Sequence, residues 1–184
     1  MNHLIEKTIS SKEVYKGKVI QLNLEEVELP NGKTSTREVV KHPGAVAIIA
    51  VTAEQKLVLV RQYRKPLDMI IYEIPAGKIE PGENPFRCVQ RELEEEAGCK
   101  SDSIKHVQSF YTSPGFADEI VHVYYTDQLE KLENSAGLDD DEFLDVIEVT
   151  LDEAQQLIDE KKIYDAKTVF AVQYLQLKKC REEL

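Results

Sequence analysis

The sequence predicts an α/β fold preceded by a small antiparallel β unit, and three features carry that prediction. Two apolar-rich runs, "AVAIIAV" at 45–51 and "KLVLVRQYR" at 56–64, read as buried strands. A segment opening at Asn84-Pro85 reads as an amphipathic helix: Asn is a good N-cap and Pro is favoured at the first helical position. Ahead of both, residues 22–42 read as a hairpin, because two strand-like runs flank Pro30-Asn31-Gly32 and Asn-Gly is a strong turn signal.

The remaining elements follow the same logic. Residues 70–85 begin as a strand and become a loop at Pro75-Ala76-Gly77, continued by Pro81-Gly82. In the helix after Asn84, Phe86, Val89, Leu93 and Ala97 recur at spacings of three and four, giving one apolar face, and Gly98 stands where a C-cap belongs. Strands are expected at about 104–112 and 120–127, split by the turn "TSPGFADE". Residues 129–142 read as a polar acidic loop and 143–150 as a strand. A helix capped by Thr150 is expected over 151–161, and an amphipathic helix over 165–180.

Composition narrows the function classes. The 184 residues carry a formal net charge of −11. That argues against nucleic acid or an anionic membrane as the main partner, since both are polyanions. It does not exclude a small anionic ligand, because a bound divalent cation inverts the local field. The three cysteines, Cys88, Cys99 and Cys180, form no C-x-x-C and have no histidine at zinc spacing, so reduced thiols are expected. The four histidines show no arrangement suited to catalysis, and Ser113 has no base partner in the sequence. The longest apolar run is too short to span a bilayer and the N-terminus has no signal-peptide core, so a cytoplasmic location is expected.

The stretch "RELEEEAGC", 91–99, concentrates negative charge on the first helix. At about 100° per residue, Glu92, Glu95 and Glu96 project within roughly 100° of one another, with Glu96 bordering the apolar stripe. Like charges at these spacings destabilise a helix by roughly 0.2–0.5 kcal/mol per pair. Two readings account for that cost. The glutamates could form a solvated acidic face, or a hard divalent cation could turn the repulsion into coordination. Mg²⁺ and Mn²⁺ prefer carboxylate oxygens and retain waters that can face a phosphate.

The spacing favours the second reading. Five residues separate Gly77 from Glu83, and seven separate Glu83 from Arg91. The run "GKIEPGENPFRCVQRELEEEAGC" resembles the Nudix box, G-x5-E-x7-R-E-U-x-E-E-x-G-U, where U is a bulky apolar residue. Gly77, Glu83, Arg91, Glu92, Leu93, Glu95, Glu96 and Gly98 all match. Cys99 at the last position is a mild departure that touches packing more than chemistry. The resemblance implies a Nudix hydrolase: an α/β/α sandwich around a mixed sheet, acting on a nucleoside diphosphate linked to another group. It further implies metal ligation by Glu92 and Glu96, by Glu95 directly or through a bound water, and by the carbonyl of Ala76. Gly77, Glu83, Arg91 and Gly98 would support the motif, Glu83 and Arg91 by an ion pair. The implied cofactor is Mg²⁺, with Mn²⁺ as the alternative.

Further residues resemble the ADP-ribose pyrophosphatase branch of that family. Pro114 lies sixteen residues after Gly98, as in that branch, although Ser-Pro-Gly also makes simple turns. "LVRQYR" resembles the strand carrying a phosphate-contacting arginine, here Arg64, which could equally be a surface strand residue. "DDDEFLDVIEV" resembles an acidic loop whose glutamate serves as catalytic base or shapes the metal site, here Glu142; a merely solvated acidic run is the alternative. Arg37 is a candidate nucleotide contact, with a cross-strand ion pair to a glutamate equally good. Tyr15 could stack on adenine or belong to the core.

The implied organisation is an N-terminal β unit at 1–42, taking part in a swapped homodimer that builds the adenine site, and a hydrolase domain at 43–184. The implied reaction is metal-dependent hydrolysis of ADP-ribose to AMP and ribose 5-phosphate, with Glu142 and Glu95 as catalytic groups and Arg37, Arg64 and Pro114 at the substrate. The alternatives are another nucleotide sugar, a dinucleoside polyphosphate or an oxidised nucleotide as substrate, or a non-catalytic ADP-ribose sensor. Sensors of this fold often lose box glutamates, which are retained here.

Overall fold

The turn at Asn31-Gly32 forms as its sequence predicts. Gly32 takes φ +78°, a conformation that side chains disfavour, and its N–H closes the turn on the Leu29 carbonyl at 2.9 Å. The computed structural model describes residues 3–133 and 143–182, and the chain divides into two units. The first is Met1–Gly44 with Phe110–Ile120; the second is Ala45–Ser109 with Val121–Leu184.

The first unit is a three-stranded antiparallel sheet of β1 (Lys7–Lys16), β2 (Gln21–Glu28) and β3 (Thr34–Lys41), with β2 central. Of these three strands, only the β2–β3 hairpin was expected as a definite element. β1 has no apolar alternation because both of its faces are exposed. Polar cross-strand bonds assist its pairing, such as Thr8 Oγ1 donating to Glu25 Oε2 at 3.1 Å. The 110–120 segment is tied on by Asp118, whose Oδ1 accepts from His42 N at 2.9 Å and whose Oδ2 accepts from Lys41 Nζ at 2.9 Å.

The second unit contains a mixed four-stranded sheet in the order β7-β4-β10-β9, apart from the end of β9 and the first residue of β10, which fall in the 110–120 segment. Its strands are β4 (Ala45–Ala50), β7 (Ala76–Lys78), β9 (Lys105–Tyr111) and β10 (Ile120–Thr126). β4 runs parallel to β10 and antiparallel to β7. A three-stranded antiparallel sheet joins β12 (Leu144–Val149), β5 (Leu57–Arg64) and β6 (Met69–Glu73). A two-residue pair links β8 (Cys99–Lys100) to β11 (Glu130–Lys131). The helices are α1 (Pro85–Ala97), α2 (Leu151–Asp159) and α3 (Ala166–Glu182).

Two expectations are corrected. Ala76-Gly77 was expected in a loop; it forms β7, because its backbone pairs back onto Val46 and Ala47. Glu130–Lys131 was expected in a loop and pairs with the strand after α1. Both strands are too short for a periodic signal to register.

Period-two alternation generates the layers. Val46, Ile48 and Ala50 of β4 pack with Cys88, Val89 and Leu93 of α1. Ala47 and Ile49, also buried, point the other way. On β10, Tyr124 meets Phe86 of α1 edge-on at 6.3 Å between ring centroids. The next residue, Tyr125, meets Tyr174 of α3 at 6.0 Å. Helices therefore cover both faces of the mixed sheet, which is the expected α/β/α layering. Among the described residues no helix is long and apolar enough to cross a membrane.

Candidate active site

The site is built where β7 meets α1. The Asn84 side chain accepts from Phe86 N at 2.8 Å and fixes the start of α1, and Gly98 ends it in the left-handed region at φ +61°. Within that frame Glu92 and Glu96 are buried, at 7% and 4% exposure, alongside Val89 and Leu93. Glu92 and Glu96 are thus part of the packed face of the helix, and Glu95 at its edge is half-buried.

Buried carboxylates must be compensated. Glu96 Oε2 accepts from Ala76 N at 2.7 Å, which fastens α1 to the first residue of β7. Gly77 follows, and its missing side chain is filled by Glu92: a Cβ there would lie 1.8 Å from Glu92 Oε1. Glycine is required here by close approach.

Arg91 ties the cluster together. Its Nε and Nη2 donate to the two oxygens of Glu83 at 3.1 and 3.2 Å. Its Nη1 donates to Glu92 Oε1 at 2.7 Å and to Glu95 Oε2 at 2.8 Å. Nη2 also reaches the Lys78 carbonyl at 3.2 Å. The hydrogen bonds to Glu83 dominate in raising the guanidinium's affinity for its proton, and reciprocally Arg91 holds Glu83 below the usual carboxylate range. Underneath, burial and then Glu83 push the Cys88 thiol up to about 12, so it is a packing residue. All three cysteines are free thiols.

Arg64 ends β5, where its Nε donates to Glu73 Oε2 at 2.6 Å. Arg37, in the first unit, is engaged by Glu6 through Nε at 2.9 Å and Nη2 at 2.5 Å, an ion pair to a glutamate as the alternative expected, although Glu6 precedes β1 and is not a cross-strand partner. Pro114 also belongs to the first unit. Glu142 lies outside the described residues. The second unit therefore brings together Ala76, Gly77, Glu83, Arg91, Glu92, Glu95 and Glu96. Two histidines read as incidental in the sequence share one serine: His106 Nε2 and His122 Nδ1 each lie 2.8 Å from Ser109 Oγ.

Comparison with known proteins decides the family. Residues 41–171 match the NUDIX domain. The chain belongs to the Nudix family. Residues 6–40 match the nucleoside diphosphate sugar hydrolase N-terminal domain. The chain is 60% identical to a methanol dehydrogenase activator of Bacillus methanolicus, covering 94% of this chain and 93% of that one. It is 56% identical to an ADP-ribose pyrophosphatase of Bacillus subtilis (strain 168), covering 97% and 96%. A solved structure described as an ADP compounds hydrolase shares the fold, with a TM-score of 0.79 at 19% identity over 93% of this chain and 92% of that one.

Nudix hydrolases generally need divalent metal ions, and the residues present fit one. The donor set is hard carboxylate oxygen, the type that Mg²⁺ and Mn²⁺ prefer. Glu92 occupies a cradle that any side chain at position 77 would close. The Arg91 guanidinium already places positive charge between Glu92 and Glu95. Among the described residues, no three acidic, imidazole or thiol groups converge at metal-binding separations.

Sequence reasoning missed Glu73 and Lys167. The signal available was a lone glutamate inside the apolar run "MIIYEIP". Glu73 is 3% exposed, and a charge that deep demands a partner.

Proposed function

We propose that this chain hydrolyses the diphosphate of ADP-ribose, giving AMP and ribose 5-phosphate in a divalent-metal-dependent reaction. The observation that carries the reading is the pair of buried carboxylates on α1, Glu96 bonded to Ala76 and Glu92 seated against Gly77. The kinship to the Bacillus subtilis pyrophosphatase supplies the substrate.

In this reading Glu92, Glu95, Glu96 and the Ala76 carbonyl would hold Mg²⁺, with Mn²⁺ as the alternative. A divalent cation held there would supply neutralisation of the diphosphate charge and a lowered pKa for the attacking water. The chain's own residues do the rest. Glu83 retains Arg91 through two nitrogens, leaving Nη1 to balance Glu92 and Glu95. Glu95 and Glu142 are assigned to orienting or deprotonating the water. Arg64 is assigned to the diphosphate, and Arg37 and Pro114 to the nucleotide side of the substrate. Water attack on one phosphorus breaks the bridging P–O bond, and positioning with charge stabilisation suffices without a covalent enzyme intermediate.

The proposal includes a division of labour, with residues 1–42 forming a homodimer and residues 43–184 carrying the chemistry, in a cytoplasmic protein. Exposed apolar side chains in the first unit support dimerisation: Leu4, Ile5, Ile9, Val14 and Tyr15 are each more than half exposed. The expected result of a substrate panel is that ADP-ribose gives the highest kcat/KM, above GDP-mannose and diadenosine tetraphosphate. Chromatography should show AMP and ribose 5-phosphate in equal amounts. A different leading substrate would reassign the specificity; no cleavage of any would overturn the ADP-ribose hydrolase reading.

The relative at 60% identity favours a second reading, in which this chain activates an alcohol dehydrogenase. Adding it to such a dehydrogenase and following alcohol oxidation tests that reading.

A further inference from the structure

Behind Arg64 lies a charge cluster that links β6 to the start of α3. Glu73 is 3% exposed, yet it is shared by two cations. Its Oε2 accepts from Arg64 Nε at 2.6 Å, and its Oε1 accepts from Lys167 Nζ. Lys167 Nζ also donates to Asp165 Oδ1 at 2.9 Å, and Asp165 caps α3 by accepting from Thr168 N at 3.2 Å. The other Asp165 oxygen is buried and has no hydrogen-bond partner among the described residues. Nearby, Thr168 Oγ1 accepts from Ile74 N at 3.0 Å, which fixes the chain just before Ala76.

The cluster balances two carboxylates against two cations, and the cations differ in exposure. The Lys167 side chain is 15% exposed and that of Arg64 is 39% exposed. Among the described residues Glu73 is the only side-chain partner of Arg64, and it takes only Nε. A guanidinium anchored by Nε keeps both terminal amino groups available as a fork, the geometry that matches a phosphate bidentately.

We infer that Glu73 and Lys167 are positioning residues that aim the Arg64 guanidinium at the substrate's diphosphate. The inference rests on the placement of Arg64 proposed above. Lys167 is essential to the device because it satisfies the inner oxygen of Glu73. Without it, Glu73 and Asp165 would face a single cation, and Arg64 would be drawn back to serve both. The fork would then be spent on protein carboxylates instead of phosphate. Neither Glu73 nor Lys167 needs to touch the substrate.

The test uses the full chain with ADP-ribose and metal. Lys167→Met should raise KM about tenfold while kcat changes less than about threefold, because ground-state binding through Arg64 is what weakens. Lys167→Arg should restore most of the loss. Arg64→Ala should raise KM at least as much, and adding Lys167→Met to it should change KM no further, since both act through one group. Glu73→Gln provides a second, independent disruption if Lys167→Met does not fold. A merely structural cluster would lower Tm in these variants and leave KM alone. If Arg64→Ala raises KM but Lys167→Met and Glu73→Gln do not, or if the effects of Arg64→Ala and Lys167→Met add, the positioning role is overturned and the placement of Arg64 survives. If Arg64→Ala itself leaves KM unchanged, that placement fails and the inference falls with it.

Discussion

Glu96→Gln should lower kcat for ADP-ribose by about 10³-fold, or about 4 kcal/mol of transition-state stabilisation, while the chain stays folded. The substitution isolates charge from structure. Glu96 Oε2 accepts from Ala76 N at 2.7 Å, and a glutamine oxygen can accept the same bond, so the junction of α1 with β7 is kept. What disappears is one negative charge in a site 4% exposed. Burying a carboxylate carries a desolvation cost, so its neutral isostere should leave Tm unchanged or higher. Steady-state kinetics beside a thermal melt give both numbers. Activity within a few-fold of wild type would remove Glu96 from the metal-holding set; loss of activity together with Tm would mean the residue is structural.

Gly77→Ala should be nearly as damaging to activity, by a different route. The new Cβ would sit 1.8 Å from Glu92 Oε1 and 1.9 Å from its carboxyl carbon, both far inside contact distance. Gly77 pairs with Val46 of the central sheet, so the backbone is not free to retreat. Glu92 must therefore swing away and surrender its 2.7 Å bond to Arg91. Breaking a largely buried ion pair costs about 3 kcal/mol. For a chain of this size that corresponds to a Tm loss of roughly 6–12 °C. Both effects should appear together in this variant, in contrast to Glu96→Gln. A Gly77→Ala protein with wild-type Tm and turnover would show that Glu92 does not need its cradle.

The contrast between these variants reflects what a sequence can and cannot show. The box was legible because its parts are local. One helical period places Glu92, Glu95 and Glu96 together, and the spacings from Gly77 and Glu83 bring the preceding loop onto them. The caps at Asn84 and Gly98 were legible for the same reason, since each is a single-residue solution to unsatisfied helix ends. The partners of Arg64 were not legible. Lys167 is 94 residues from Glu73, and no period relates them. Their meeting depends on α3 docking against β6, which only the folded chain shows. β1 escaped because a strand exposed on both faces has no reason to alternate. β7 escaped because Ala76-Gly77 carries turn-forming residues, and pairing with β4 overrode that local preference. Arg37 shows the limit from the other side: the sequence left two partners open, and the fold pairs it with Glu6, 31 residues away.

The most direct test of the account is metal dependence measured on one preparation. Chelator-stripped protein would be titrated with Mg²⁺ while the release of AMP from ADP-ribose is followed. The account predicts no turnover above buffer at zero free metal, a rise to saturation, and loss again on re-addition of chelator. Equal cleavage with and without metal, or no cleavage at any metal concentration, would contradict it.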